Sequence, residues 1–300
     1  MEAIKKRKFR KRGDSILDKK TTGEKILYVF VFLFFSLQAL SLILPVGWMI
    51  MSSLKGLREY ETANPFAFPV AWEFENYIEA FKALNANDTN FFGMILNSLW
   101  YTTIATALGV FIPACTGYVM SKYRFPGHSL IFGIAIVSMV IPIVGSAASR
   151  MKILSWLMLD DSPLYVIVNS LGGFGGTFLV YYGFFKALSW SYAEAVMIDG
   201  GGHFTIFFKI MLPQALPILL TYAITGAIGN WNEYESIILY LPSYPTLASG
   251  LYEFQSVQTR SPDWPVYFAG LIISVIPTIA LFCAFSDRIM TSLSIGGLKG

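Results

Sequence analysis

Charge is scarce in these 300 residues: Asp, Glu, Lys and Arg together make up 14% of the chain, where a water-soluble protein carries about a quarter. Cysteine is almost missing. Cys115 and Cys283 both sit inside apolar runs, so they read as buried small hydrophobes, which excludes a disulfide scaffold and a thiolate metal site. The two histidines, His128 and His203, are isolated from each other, so no metal ligand set is expected. No G-x-x-x-x-G-K-[ST] occurs. The glycine patches (Gly172, Gly173, Gly175, Gly176; Gly200 to Gly202) lack the following lysine that phosphate cradling needs. Paired acids, H-E-x-x-H and a nucleophile constellation are also missing, so neither a catalytic residue nor a bound cofactor is expected of this chain.

Apolar residues are abundant instead, at 55% with 16% aromatic. Six uncharged runs stand out: Ile26 to Leu54, Thr89 to Ser121, Phe125 to Ser149, Ser162 to Phe185, Ile210 to Asn232 and Trp264 to Ser286, the shortest of 23 residues. Each exceeds the roughly 20 residues with which an α-helix crosses a bilayer. Six such runs exclude a globular enzyme and a nucleic-acid module. The pattern predicts an all-α membrane protein with six transmembrane helices near 26–51, 94–120, 129–149, 164–186, 213–241 and 265–286, after a basic tail over 1–25.

The first 25 residues hold ten of the 22 Lys and Arg against four acids. A basic run just before an apolar span reads as orientation toward the cytoplasm and contact with anionic lipid, not as a nucleic-acid site. With six spans both termini then lie inside. The remaining cations leave the bias in place: counted with the tail, inner segments collect 16 Lys and Arg and outer segments six. The first run is too long for the roughly 7 to 15 residue core of a signal peptide, so it is expected to stay as a helix. Pro45 would kink that helix if it runs on through Trp48.

Between spans, Tyr77, Ile78, Phe81 and Leu84 fall at helical spacing and predict a short amphipathic helix on the outer surface. The short turn from Lys122 to His128 predicts that the second and third helices are antiparallel neighbours. In the fourth span, Gly172 to Gly176 could form a small-xxx-small face for close helix approach. Asn87-Asp88-Thr89 matches a glycosylation sequon, a tripeptide frequent by chance.

The inner stretch over 187–212 is longer than a turn requires and has an internal grammar. Ser191 and Glu194 have the spacing of a capping box that would start a short helix. Asp199-Gly200-Gly201-Gly202 would end it, because glycine supplies positive φ at no steric cost. A second helix then places Phe204, Phe207, Phe208 and Met211 at i, i+3, i+4 and i+7, and Pro213 marks entry to the fifth span. The result is a helical elbow whose apolar surface must meet lipid, the protein's own spans or a partner.

This elbow carries a resemblance. Glu194, Ala195, Asp199, Gly200, Phe207, Ile210, Leu212 and Pro213 match the EAA motif, E-A-A-x-x-D-G-A-x-x-x-x-x-F-x-x-I-x-L-P, of ABC importer permeases; Val196 and Gly201 stand where that family usually has alanine. Asn97-Ser98-Leu99, Tyr123 to Gly127, Gly229 to Glu233 and Gly296 to Gly300 resemble the carbohydrate-uptake branch, specifically the maltose-type second permease subunit. The resemblance implies a type I importer (MetI-like) fold, a homologous second permease, two ABC ATPase subunits that carry ATP and Mg, an extracellular solute-binding protein and a carbohydrate cargo. It implies that Glu194, Ala195, Asp199, Gly200, Phe207, Leu212 and Pro213 form the ATPase-coupling site, with the chain's end near the ATPase interface. It also implies that the last outer loop, Pro242 to Pro265, meets the solute-binding protein.

Asn230, Trp231, Asn232 and Glu233 lie late in the fifth span. Amides and carboxylates hydrogen-bond hydroxyls and an indole stacks on a pyranose, so these four are candidates to line a sugar pathway; packing or gating is the other reading. Asn169 and Gln38 read as interhelical hydrogen-bonding groups. An importer for another polar solute, such as glycerol phosphate, shares the elbow but should show basic residues along the pathway. The span cores carry none. A stand-alone secondary transporter would need midplane acids and broken helices.

Overall fold

A computed structural model describes residues 22–141, 145–258 and 263–296 of the chain. The basic residues before Lys25, Arg260, and the C-terminal Gly297 to Gly300 lie outside the described residues. Apart from an isolated bridge between Ala86 and Thr89, the described chain is helical.

Helix α1 (Thr22–Ser53) is 32 residues long, about 48 Å at 1.5 Å per residue, and continues past Pro45 and Trp48. Its side chains stay exposed until its last turns, where Ser52 and Ser53 are buried. Two short helices follow, α2 (Leu57–Thr62) and α3 (Glu75–Ala83). The buried face of α3 is not the expected one: Ala80 and Leu84 are fully buried and Tyr77 packs beside them, whereas Ile78 and Phe81 stay exposed. Helix α3 lies on the last helix, α15 (Trp264–Gly296). A Cβ on Gly270 there would come within 3.0 Å of Leu84 Cδ1, so the small residue sets the seat and the small face of α3 fills it. Asn87 is engaged by the fold: with Asp88 it takes positive φ at a tight turn, and its amide donates to Pro242 O at 2.8 Å.

Helix α4 (Phe91–Lys122) is the central strut, capped by the Asn90 side chain accepting from Gly93 N at 2.9 Å. It is followed by α5 (His128–Val140), α6 (Ser146–Trp156), α7 (Leu164–Ser170) and α8 (Gly176–Ala187). The stretches expected as the third and fourth spans are each divided. α5 stops as Ile141, which precedes Pro142, turns extended, as the steric clash with a following proline favours. Between α7 and α8, Gly172, Gly173 and Gly175 fall in the break and Gly176 opens α8, so the patch does not form a helix face. One of its glycines still brings backbones together: Thr116 Oγ1 on α4 donates to Gly173 O at 2.8 Å.

α4 and α5 meet beside the short turn, where His128 Nε2 lies 2.7 Å from Met120 O and Ala135 shares a buried cluster with Met120. Most of α4, however, packs against α8, α7 and the later helix Leu216–Trp231. The reason is Gly117, where a Cβ would lie 2.8 Å from Tyr181 Cβ and 2.9 Å from Tyr182 N; its absence lets the α8 backbone take the place beside α4. α5 also leans on α8 through Phe132, whose ring meets Phe178 and Tyr182. Neither Cys115 nor Cys283 forms a disulfide; Cys115 is half-buried and Cys283 exposed, which corrects their reading as buried core residues.

The chain then forms α9 (Ser191–Ile198), α10 (His203–Thr205), a π-helical turn over Ile206–Met211, α11 (Leu212–Gln214) and α12 (Leu216–Trp231). α13 (Glu235–Tyr240) and α14 (Leu247–Gln258) complete the described helices before α15. By length and composition α1 and α4 can each cross a membrane; His203–Gln214 with Leu216–Trp231 meets the same criterion only when the two are taken together, across a 72° bend.

Candidate functional site: the helical elbow and the membrane cavities

The elbow is built on α9. Its start differs from the expected capping box: Trp190 is the cap residue and the Ser191 side chain does not cap the helix. Instead Ser189 Oγ accepts from Ser191 N at 3.3 Å, so the chain enters the helix through a serine turn. The end is as the glycines imply. Gly200 takes φ +79°, its N–H reaches Met197 O at 3.0 Å, and Gly201 N–H reaches Val196 O at 2.8 Å, the paired bonds of a Schellman motif.

The second limb departs from α-helical spacing. Residues Ile206–Met211 wind as a π-helix, so the buried set is Ile206, Phe207 and Met211, at i, i+1 and i+5. Phe204 and Phe208 face outward, contrary to the expected four-residue face. Ile206 is the core residue that the regular 3.6-residue period overlooks. It joins Ala193, Phe207, Met211 and Ala215 in a cluster with Tyr118 and Ala114 of α4 and Phe185 and Tyr181 of α8.

The seven residues assigned to coupling therefore divide by role. Glu194, Ala195, Asp199 and Gly200 are exposed on α9 and its turn. Phe207 is buried against Tyr118, ring centroids 4.8 Å apart, and Leu212 packs on the same cluster, so both hold the elbow on the helices. Pro213 is exposed in α11, just before the bend. Around the exposed four lie Tyr192, Met197, Ile198 and Phe204, with Ile198 87% and Phe204 82% accessible. Apolar side chains bared to that degree call for lipid or another chain to cover them, as do Val70, Trp156 and Met158 elsewhere in the molecule.

Residues 114–294 match the family model described as binding-protein-dependent transport system inner membrane component. The chain belongs to that family. The permease is 28% identical over 260 residues to the diacetylchitobiose uptake system permease protein NgcG of Streptomyces coelicolor, covering 86% of this chain and 84% of that one. It is 26% identical over 272 residues to the arabinooligosaccharides transport system permease protein AraQ of Bacillus subtilis, covering 89% and 94%. Its fold resembles a chain in the crystal structure of a bacterial ABC transporter that imports the acidic polysaccharide alginate. That match has a TM-score of 0.71 at 20% identity and covers 90% of this chain and 98% of that one. The permease is thus an all-helical membrane transport subunit of the MetI-like fold.

The four residues proposed from sequence for a pathway separate at the end of α12. Asn230 Nδ2 donates to Thr106 Oγ1 of α4 at 3.0 Å, and both line a cavity of about 290 Å³ with Thr177, Tyr222 and Thr225. Trp231 lines a second groove, of about 500 Å³, between α4, α12 and α15. Asn232 and Glu233 serve the turn out of the helix: Asn232 Nδ2 returns to Ile228 O at 2.8 Å, and Glu233 Oε1 accepts from Ser236 N at 2.8 Å. Asn169 accepts from Arg150 Nη1 at 3.1 Å, joining α7 to α6, while Gln38 is exposed on α1. Around the segment after Leu241, Ser243 N bonds Asp161 Oδ1 at 2.9 Å, Asn97 Nδ2 bonds Pro245 O at 3.0 Å, and Tyr234 stacks on Tyr252.

Proposed function

We propose that this permease is one of two homologous membrane subunits of an ATP-driven importer for a carbohydrate handed over by an extracellular solute-binding protein. The observation that carries the reading is the two-sided elbow. Its inner side is fixed to α4 and α8 through Ala193, Ile206, Phe207 and Met211, and its outer side presents Glu194, Ala195, Asp199 and Gly200 amid bare apolar side chains. A lever needs one face welded to the moving part and the other free for the motor. Two ATPase subunits holding ATP and Mg would dock on that free face. In this reading both termini and the elbow are cytoplasmic, the chain crosses the bilayer six times, and the segment after Leu241 faces the binding protein.

A sugar cargo is supported by the relatives named for oligosaccharide uptake and by the chemistry of the smaller cavity. Thr106, Thr177, Tyr222, Thr225 and Asn230 offer hydroxyl and amide groups that both donate and accept, and no charged side chain lines it. Such a lining suits the hydroxyls of a neutral saccharide better than a phosphate. Purification of the tagged permease from its own membranes tests the assignment: an ATPase, a second permease and hydrolysis stimulated by the loaded binding protein are expected. A chain that purifies alone and active in solute movement would contradict it.

A further inference from the structure

Besides the buried cluster, the elbow is held at a second place. Lys122 Nζ, at the end of α4, donates to Leu188 O at 2.5 Å, where the chain leaves α8 for α9. The next residue, Tyr123, sets its hydroxyl 2.9 Å from His203 Nδ1 on the second limb and 3.2 Å from Tyr118 OH. Its ring stands edge-on to Trp190, at 5.9 Å, and to His203, at 5.4 Å. Two consecutive residues therefore grip the elbow on both sides of α9.

The covalent route from the elbow into α12 is a poorer strut. It passes through the π-helical turn and then bends by 72° at Ala215. A loosely wound turn followed by a sharp bend yields before it transmits thrust. α4 carries Pro113, which removes one backbone hydrogen bond, yet it continues as one helix of 32 residues, packs on α8 and α12, and lines both cavities.

We infer that Lys122 and Tyr123 are positioning residues that carry displacement of the elbow into α4, and through α4 to the walls of the cavities. The inference rests on the reading in which an ATPase moves the elbow.

The test uses the assembled transporter with Cys115→Ser and Cys283→Ser, spin-labelled at Leu99→Cys on α4 and Ile276→Cys on α15, both exposed positions flanking the larger groove. The distance between labels is measured with and without ATP and vanadate. We expect trapping to shift the distance in the otherwise unaltered chain. We expect Lys122→Met with Tyr123→Phe to keep the co-purified ATPase but lose most of the shift, and Lys122→Arg alone to retain it. An undiminished shift in the double variant overturns the inference, as does loss of the ATPase from it or loss of the shift in Lys122→Arg. An unaltered complex that holds its ATPase and shows no shift overturns it too. If the unaltered chain brings down no ATPase at all, the functional reading fails first.

Discussion

Val196 Cγ1 occupies the space that a side chain on Gly201 would need. A Cβ built on Gly201 would collide with that methyl group and approach Val196 O to 3.0 Å. The two positions at which this elbow departs from the EAA pattern are thus one packing event: the branched residue on α9 excludes any side chain from the turn that follows.

Gly201→Ala should therefore strain the elbow by about 1–3 kcal/mol, the usual cost of overpacking, and reduce ATPase co-purification. Adding Val196→Ala should recover most of the loss. A double variant no better than the single would show that the two sites do not couple.

Gly200→Val tests the turn by a different route. A β-branched residue at φ +79° costs roughly 1–3 kcal/mol and has no comfortable alternative conformation at the second position of the reversal. The chain should still reach the membrane, because the site is exposed, while ATPase association and transport are lost. Normal uptake by this variant would remove the elbow from the mechanism.

Gly117→Ala should do the opposite, harming assembly of the helices and not the motor contact. Its Cβ would meet backbone, Tyr182 N at 2.9 Å, which cannot swing aside as a side chain can. Lower folded yield and a reduced melting temperature in detergent are expected, larger than for Gly109→Ala, where nothing lies within 4 Å.

Thr225→Val and Thr177→Val keep the shape of the smaller cavity and remove one hydroxyl each. Each hydrogen bond lost to a sugar hydroxyl is worth about 0.5–1.5 kcal/mol, so the concentration for half-maximal uptake should rise several-fold. ATPase association should stay unchanged. Unaltered uptake kinetics in both would assign these threonines to packing alone.

The family and the elbow were legible because the motif is local. Eight fixed residue types within twenty positions specify a helix, a glycine reversal and a second limb, and the structure contains all three. What lay hidden was set by tertiary contacts. The π-helical turn put Ile206 inside and Phe204 outside, which a 3.6-residue period cannot foresee. Gly117 brought the α8 backbone against α4, a contact between residues about 65 positions apart in the chain that no local pattern announces. Uncharged runs located apolar chain but not its breaks at Ile141 and at Gly172 to Gly175, since run length carries no information on helix continuity. The clamp made by Lys122 and Tyr123 was visible only as a short inner turn, because its partners, Leu188 and His203, are 66 and 80 residues away.

Uptake by proteoliposomes addresses the central claim most directly. Vesicles containing this permease, its companion permease and the ATPase subunits, with the loaded binding protein outside, should accumulate sugar only when ATP is enclosed with the ATPase. Accumulation by vesicles holding this chain alone, with no nucleotide, would contradict the account.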